Sequence, residues 1–396
     1  MRTLAATHLV PYPPDSGGKA VSAQTLECLA RIGPLDVCAF EPPWARMNAT
    51  GRLREIASRV VTLPLLRTPA VQWPLFAARR RAYYIWRDYS ATMRDRVTNM
   101  RAGCDVLFAD TLQMAPYISP LSGPKVLQQH NVESYLVGEF FRRQRNPLTR
   151  AAGRAEWRNL ETFERDQCNA FDAVVVLSED DRRRFEAIGV RAPMVVLPPG
   201  VDSMDPVPEG PDRCRIVHVG TGHWPPIADG LRWYLSQVHP RVRGGGASLE
   251  TWLVGAPPSD LRQGPAPDGV RVLGYVDNLE PVYRSAAVFI VPLLVGGGVR
   301  LKILHALARG LAVVATSAAA EGLDADYGRH LLVADDPDGF ARAVVQVATD
   351  AGLRRRLGEA GRAFVKERFG VQQRCAAMAA LLHDVAALGA RARARA

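Results

Sequence analysis

The stretch FIVPLLVGGGVRLKILHALARGLAVVATSAAAEGL, Phe289 to Leu323, decides how this chain is read. A short apolar strand, Phe289–Leu294, runs into three glycines, Gly296, Gly297 and Gly298. A helical stretch follows with Arg300 and Lys302 in its first turn, and a second apolar strand spans Leu311–Ala315. Glycines let the backbone bend tightly and leave its N–H groups approachable. A helix N-terminus adds unpaired donors and a partial positive charge. Two cations at that spot complete a site for a phosphate or diphosphate. Lys302 and His305 lie three apart and share a face, while Leu301, Leu304 and Ala308 turn to the core. The competing reading is an ordinary βαβ crossover whose glycines only make a turn. Lysine usage weighs against it. The basic residues are overwhelmingly arginine, and the lysines are Lys19, Lys125, Lys302 and Lys366.

The same strand–helix alternation extends to both sides of this stretch. The first unit reads as strand Thr3–Val10, a loop with Gly17 and Gly18, a helix over Ala20–Arg31 and strand Leu35–Phe40, a parallel α/β opening. It lacks the GxGxxG fingerprint of nicotinamide and flavin enzymes. Further strands are expected at Arg59–Leu63, Asp105–Ala109, Lys125–Gln129, Ala173–Leu177 and Met194–Leu197. The segment Ser203–Arg213, rich in Pro, Gly and acid without periodicity, reads as an interdomain linker. A second alternation follows, with strands at Arg215–Gly220, Glu250–Val254, Val270–Leu273 and Val288–Pro292, and helices over Pro337–Thr349, Gly352–Arg368 and Val371–Leu388. The expected domains are 1–205, 206–368, and a C-terminal segment 369–396 whose helix packs back on the first domain before an Arg/Ala tail. Ligands in such sheets bind beyond the carboxyl ends of the strands.

At 396 residues the chain exceeds the usual size of one hydrophobic core, so two domains is the default. The formal charge of +10 invites a nucleic-acid reading. Part of it, however, is the terminal Arg391, Arg393 and Arg395, and part is an arginine-dense stretch from Arg142 to Arg158. No zinc-finger, recognition-helix or aromatic RNA-binding signature accompanies the charge, so no nucleic-acid partner is expected. An anionic substrate or an anionic lipid surface explains it more simply. The six cysteines are scattered without CxxC or metal-ligand spacing and read as reduced thiols of a cytoplasmic protein. No cofactor or metal is expected. No secretory signal opens the chain, and no apolar run reaches 18 residues.

Six motifs, in order, carry a resemblance. They are PYPPDSGGKAVS from Pro11, QQHNVES at Gln128–Ser134, VVLSEDDRRRF at Val175–Phe185, LPPGVD at Leu197–Asp202, VGTGHWPPIADGLRWY at Val219–Tyr234, and the Phe289–Leu323 segment. With them the chain resembles glycosyltransferase family 4, in the bacterial branch with a GGG-x-RLK helix followed by an AEGL turn. The resemblance covers roughly residues 1–370. It implies a GT-B fold, two Rossmann-like parallel-sheet domains facing a central cleft. The activity it implies is transfer of a sugar from a nucleotide-sugar, UDP-linked by preference, with retention at the anomeric carbon and without a metal. The donor would sit on the C-terminal domain and the acceptor on the N-terminal one. Arg300 and Lys302 would hold the leaving diphosphate, Gly17 and Gly18 would approach it from the other domain, and His130 would meet the transferred sugar. Gly296, Gly297, Gly298, Val299, His305, Tyr275 and Glu321 complete the implied donor set. For His130 the competing reading is a satisfied core histidine at a strand end.

This chain departs from the family pattern at three places. Family members carry E-x7-E across the glycine–helix segment, where this chain has Gly297 and His305. The second glutamate normally accepts hydrogen bonds from ribose hydroxyls, and a neutral imidazole accepts one such bond rather than two. Ile227 stands where the branch has asparagine. A catalytically weak nucleotide-sugar-binding protein, or a same-fold nucleotide-sugar epimerase, is the alternative function. The acceptor (glycan, lipid-linked sugar or small molecule) stays open. Arg79, Arg80 and Arg81, flanked by Trp73, Phe76, Tyr83, Tyr84 and Trp86, leave two readings: a helix touching anionic lipid at the inner membrane face, or a solvated helix whose aromatics face the core.

Overall fold

Seven parallel strands form the sheet of the first unit, in the order β3-β2-β1-β4-β5-β6-β7. They are β1 (Thr3–Leu9), β2 (Leu35–Glu41), β3 (Arg59–Pro64), β4 (Val106–Asp110), β5 (Lys125–Gln128), β6 (Ala173–Val176) and β7 (Met194–Val196). In this computed structural model the described residues are 1–42, 50–144, 146–202, 204–208, 213–220, 222, 225–244, 249–258 and 265–395. The central strands are buried along their length, as in β4, VLFAD, because helices cover both faces of the sheet. One apolar cluster, with Leu107, Leu127, Val174 and Leu160, lies on one face; another, with Val37, Phe108, Leu26 and Leu29, lies on the other. Strand order reverses between β1 and β4, the place where doubly wound sheets bind ligands.

The second unit repeats the plan with six parallel strands, β10-β9-β8-β11-β12-β13. These are β8 (Arg215–Val219), β9 (Glu250–Val254), β10 (Val270–Gly274), β11 (Ala286–Val291), β12 (Val313–Ala315) and β13 (Leu332–Val333). Its order reverses between β8 and β11, and two apolar clusters again sandwich the sheet. The units divide at Gly200–Val201 and again at Gly370–Val371, so the C-terminal helix belongs to the first unit. Of the Ser203–Arg213 segment, Ser203 and residues 209–212 lie outside the described residues. Its described part packs on the second unit: the buried Val207 donates its N–H to the Arg309 carbonyl at 2.8 Å.

Capping explains where several helices begin. Ser16 caps the Gly17–Ile32 helix through Lys19 N–H, so Gly17 and Gly18 enter its first turn. Asp336 caps Pro337–Thr349 through Gly339 N–H at 2.8 Å. The last helix runs Val371–Arg395, seven residues beyond the expected Leu388, because alternating arginine and alanine is good helix sequence. Met378, Leu382 and Val385 of this helix are buried against Leu26 and Leu29. Each such side chain contributes about 1.5–3 kcal/mol of burial.

The reading of six reduced cysteines is corrected here. Cys28 and Cys375 form a disulfide with Cα atoms 4.9 Å apart, while Cys38, Cys104, Cys168 and Cys214 remain free. Packing of the C-terminal helix along the Gly17–Ile32 helix brings together residues 347 apart in sequence, a pairing that spacing does not reveal. No described helix is long and apolar enough to cross a membrane.

Candidate functional site

In the second unit the site grows from the ends of β8 and β11. After β11 the chain passes through Gly296–Gly298, all buried, and Gly298 has φ +69°, a left-handed conformation that favours glycine. A Cβ on Gly296 would collide with the Ala318 carbonyl, so this glycine lets the loop lie against the Ser317–Ala320 helix. Glu321 is the C-cap of that short helix, which brings it near the glycine loop. Val299 is partly buried against the apolar cluster. Arg300 is the N-cap of the Leu301–Ala308 helix rather than a member of its first turn. Tyr275 stands apart: it is exposed beyond the end of the edge strand β10, with β9 and β8 between it and β11.

Lys302 Nζ is buried and has no hydrogen-bond partner among the described residues. Burial, and then the charge of Arg300, lower its pKa to about 7. Strand β8 supplies a neighbour that sequence reading passed over. His218 Nδ1 lies 3.1 Å from the Ile290 carbonyl, so Nδ1–H donates and Nε2 keeps its lone pair. Burial and then Lys302 push His218 down to about 3, and its Nε2 is also without a partner among the described residues. The signal was there: a histidine interrupts the apolar strand RIVHV. Ile227, at the family's asparagine position, faces the same corner, 3.6 Å from where a Gly220 Cβ would lie. Thr221, His223 and Trp224 of that motif lie outside the described residues.

One helical turn beyond Lys302, His305 is partly buried, and burial lowers its pKa against the opposing charge of Asp202. The ring is therefore neutral near pH 7 and keeps an acceptor nitrogen. The arrangement suits an anion. It has a helix start, an arginine and a desolvated amine, with an imidazole acceptor one turn on.

In the first unit the site lies where β1, β4 and β5 end. His130, two residues past β5, is buried, and its Nε2 lies 2.8 Å from Asp110 Oδ1. Asp110 Oδ2 accepts from Thr7 Oγ1 at 2.7 Å, and Gln128 Nε2 donates to Oδ1 at 2.8 Å. Burial pushes the Asp110 pKa up, but His130, Ser22 and Thr7 outweigh it and hold it at about 2. His130 Nδ1 faces Gly18, 3.8 Å from where a Cβ would lie there. Gly18 and His130 thus meet, while the Cβ position of Gly17 opens on free space. Beside them is a second buried group that sequence reading missed. Glu164 accepts from the N–H groups of Glu133 and Ser134 and from the Ser134 hydroxyl, capping the Glu133–Arg142 helix. Burial and Glu133 raise the Glu164 pKa to about 8. Glu133 accepts from the Tyr84 hydroxyl at 3.0 Å.

The aromatics around Arg79–Arg81 pack inward. Tyr89 stacks on Tyr117, Trp86 meets Tyr89 and Phe163, Phe76 meets Tyr83, and Trp73 Nε1 donates to the buried Glu156 at 3.3 Å. The inward-facing reading of these rings is the one the structure supports.

Residues 213–350 match the family model described as Glycosyl transferases group 1. An uncharacterized 44.6 kDa protein in the cps region of Klebsiella pneumoniae is 24% identical over 261 residues, covering 62% of this chain and 65% of that protein. The chain thus spans just under two thirds of that relative. Sucrose-phosphate synthase from Thermosynechococcus elongatus aligns over 98% of this chain and 100% of its own, with TM-score 0.69 and 15% identity. HepE from Anabaena, solved with UDP and glucose, aligns over 96% and 99% with TM-score 0.68 and 14% identity. The pneumococcal O-GlcNAc transferase, solved with UDP and GlcNAc, aligns over 97% and 99% with TM-score 0.67 and 9% identity. Two Rossmann-like parallel-sheet units with these neighbours define a GT-B fold. The family match adds a likeness to group 1 glycosyltransferases over residues 213–350.

Proposed function

We propose that this chain is a retaining, metal-independent glycosyltransferase of family 4 that takes a sugar from a nucleotide-sugar, UDP-linked by preference. The observation that carries this reading is Lys302: a buried amine without a partner among the described residues, at a helix start beside Arg300. Burying such a group costs several kcal/mol unless a counter-charge meets it, and a diphosphate supplies one. HepE and the pneumococcal transferase, each solved with UDP, support the choice of nucleotide.

In this mechanism the anomeric C–O bond to the diphosphate breaks while the acceptor hydroxyl forms a new bond on the same face. The hydroxyl proton passes to an oxygen of the leaving phosphate. Arg300 and Lys302 stabilise the charge that develops there, and Gly296, Gly297, Gly298 and Val299 shape the pocket around it. His305 takes a ribose hydroxyl, and Glu321, beside the glycine loop, completes the donor set, while Tyr275 lies apart from it. Gly17 and Gly18 offer first-turn amides, and His130 orients the sugar. Incubation with UDP-sugars and an acceptor panel in EDTA tests the proposal. Release of UDP with retained anomeric configuration is expected. An inverted product, or activity restored only by Mn²⁺, overturns the corresponding part.

We also infer peripheral contact with an anionic membrane. Leu66, Val71, Leu75 and Leu148 are exposed, among the exposed arginines 79–81, Arg142, Arg150 and Arg154. Co-sedimentation with phosphatidylglycerol vesicles but not phosphatidylcholine vesicles is expected. Leu66→Ser with Val71→Ser should halve it or more, and equal recovery with both lipids refutes the contact.

A further inference from the structure

We propose that His218 is a positioning residue: its Nε2 accepts a hydrogen bond from the Lys302 ammonium and so aims the remaining Lys302 N–H groups at the bound diphosphate. The inference rests on the reading of Lys302 as a diphosphate ligand and adds the group that orients it.

His218 lies on β8 and is 1% exposed. Its Nδ1 is 3.1 Å from the Ile290 carbonyl on the neighbouring strand β11. A carbonyl only accepts, so Nδ1 carries the ring proton and the lone pair is on Nε2. That Nε2 is buried and has no hydrogen-bond partner among the described residues. Burial, and then the nearby Lys302, hold the ring's pKa at about 3, so it stays a neutral acceptor near pH 7.

Lys302 Nζ supplies what Nε2 lacks. It too is buried without a partner among the described residues. Both atoms border one small volume, with Nζ 2.5 Å and Nε2 3.1 Å from the place of a Cβ on Gly220. Ile227 Cδ1, at 3.6 Å, lines the same corner with hydrocarbon. Arg300, the other charged group acting on Lys302, only donates, and His305, one turn on, lies within reach of the Asp202 charge. An ammonium carries three donors on a flexible stem, and a ligand alone leaves their direction open. Tying one of them to a ring held by β11 fixes the direction of the other two, as a preorganised site requires.

Gly220 allows the pair to be separated without removing either member. The three atoms nearest its Cβ position all belong to side chains, and the nearest is the end of the lysine. Gly220 is also outside the left-handed region, so an alanine fits its backbone and displaces the amine.

The test is an imidazole ¹⁵N spectrum of histidine-labelled full-length protein, followed through pH 7 without ligand and again with UDP. His218→Gln assigns the signal among the eight histidines. Nδ1 should stay protonated throughout, while the Nε2 signal moves upfield as Lys302 gains its proton. The step should be absent in Lys302→Met and Gly220→Ala. UDP should draw the same upfield shift at pH 8. In sugar transfer, His218→Phe and Gly220→Ala should each lower kcat/KM about tenfold, the worth of one hydrogen bond to a cation. His218→Gln, whose amide oxygen can stand in for Nε2, should lose less. Each loss should vanish in a Lys302→Met background, since residues that act through one another are not additive. Where His218→Phe does not fold, Gly220→Ala decides. An Nε2 signal indifferent to Lys302, or losses that add to that of Lys302→Met, overturns the proposal. A pH step without response to UDP refutes Lys302 at the diphosphate, and with it the aiming role, while the His218–Lys302 pair itself stands.

Discussion

Lys302 Nζ and His218 Nε2 converge on the space that a Cβ at Gly220 would fill, 2.5 Å and 3.1 Å from it respectively. Gly220 therefore leaves room for a buried amine beside a buried imidazole acceptor at the end of β8. Both atoms are inside the protein, and neither has a hydrogen-bond partner among the described residues.

This pairing predicts proton uptake when a nucleoside diphosphate binds. Lys302, with Arg300 and His218 facing it, has its pKa lowered to about 7, and an arriving diphosphate favours the ammonium. Above pH 7 the free amine is largely neutral, so binding draws in a proton, and affinity falls as pH rises. Below pH 7 the amine is already charged and uptake from it fades. The apo protein behaves oppositely: a lowered amine pKa gives stability that is full above the unfolded value and lost as pH falls toward 7. Calorimetry of UDP at pH 8 in buffers of different ionisation enthalpy should show uptake of most of one proton in wild type and little in Lys302→Arg. Equal uptake in both would assign the proton elsewhere.

Removing either cation should slow transfer. Losing one charge-assisted partner of a departing diphosphate costs roughly 2–4 kcal/mol, or about 30- to 1000-fold in rate. Lys302→Ala and Arg300→Ala are expected in that range for kcat/KM. A variant retaining half the wild-type value takes its residue out of the mechanism.

His305 is expected to accept one ribose hydroxyl as a neutral imidazole, in keeping with the burial that lowers its pKa. His305→Ala should weaken UDP binding by about 1 kcal/mol, the net worth of one hydrogen bond. His305→Glu should bind donor at least as well as wild type. Calorimetric titration of the three proteins checks this, and unchanged affinity in His305→Ala means the ribose contact lies elsewhere.

The Cys28–Cys375 disulfide predicts four alkylatable thiols, not six, in the denatured, unreduced protein. Reduction should lower the stability of the first unit by about 2–4 kcal/mol, as for other long-range crosslinks. Mass spectrometry after iodoacetamide gives the count, and thermal melts with and without reductant give the stability. Six modified thiols would remove the crosslink.

What the sequence by itself determined is whatever is written in neighbouring residues. Apolar runs located strands such as Glu250–Val254, and the helix expected over Pro337–Thr349 is reproduced to the residue. The glycine–cation segment was legible because its strand, turn and helix are consecutive. What tertiary structure alone decided depends on distant residues. Arg374 meets Gln128 across 246 positions, and Cys28 meets Cys375 across 347. His218 acquires its meaning only when β8 lies beside β11 and Lys302 arrives from the helix that follows. Periodicity and capping report the local backbone. Desolvation, tautomer and crosslink are set by which strands and helices become neighbours, and burial among those neighbours is what turns an ordinary lysine, histidine or arginine into one with a specific proton and a specific partner.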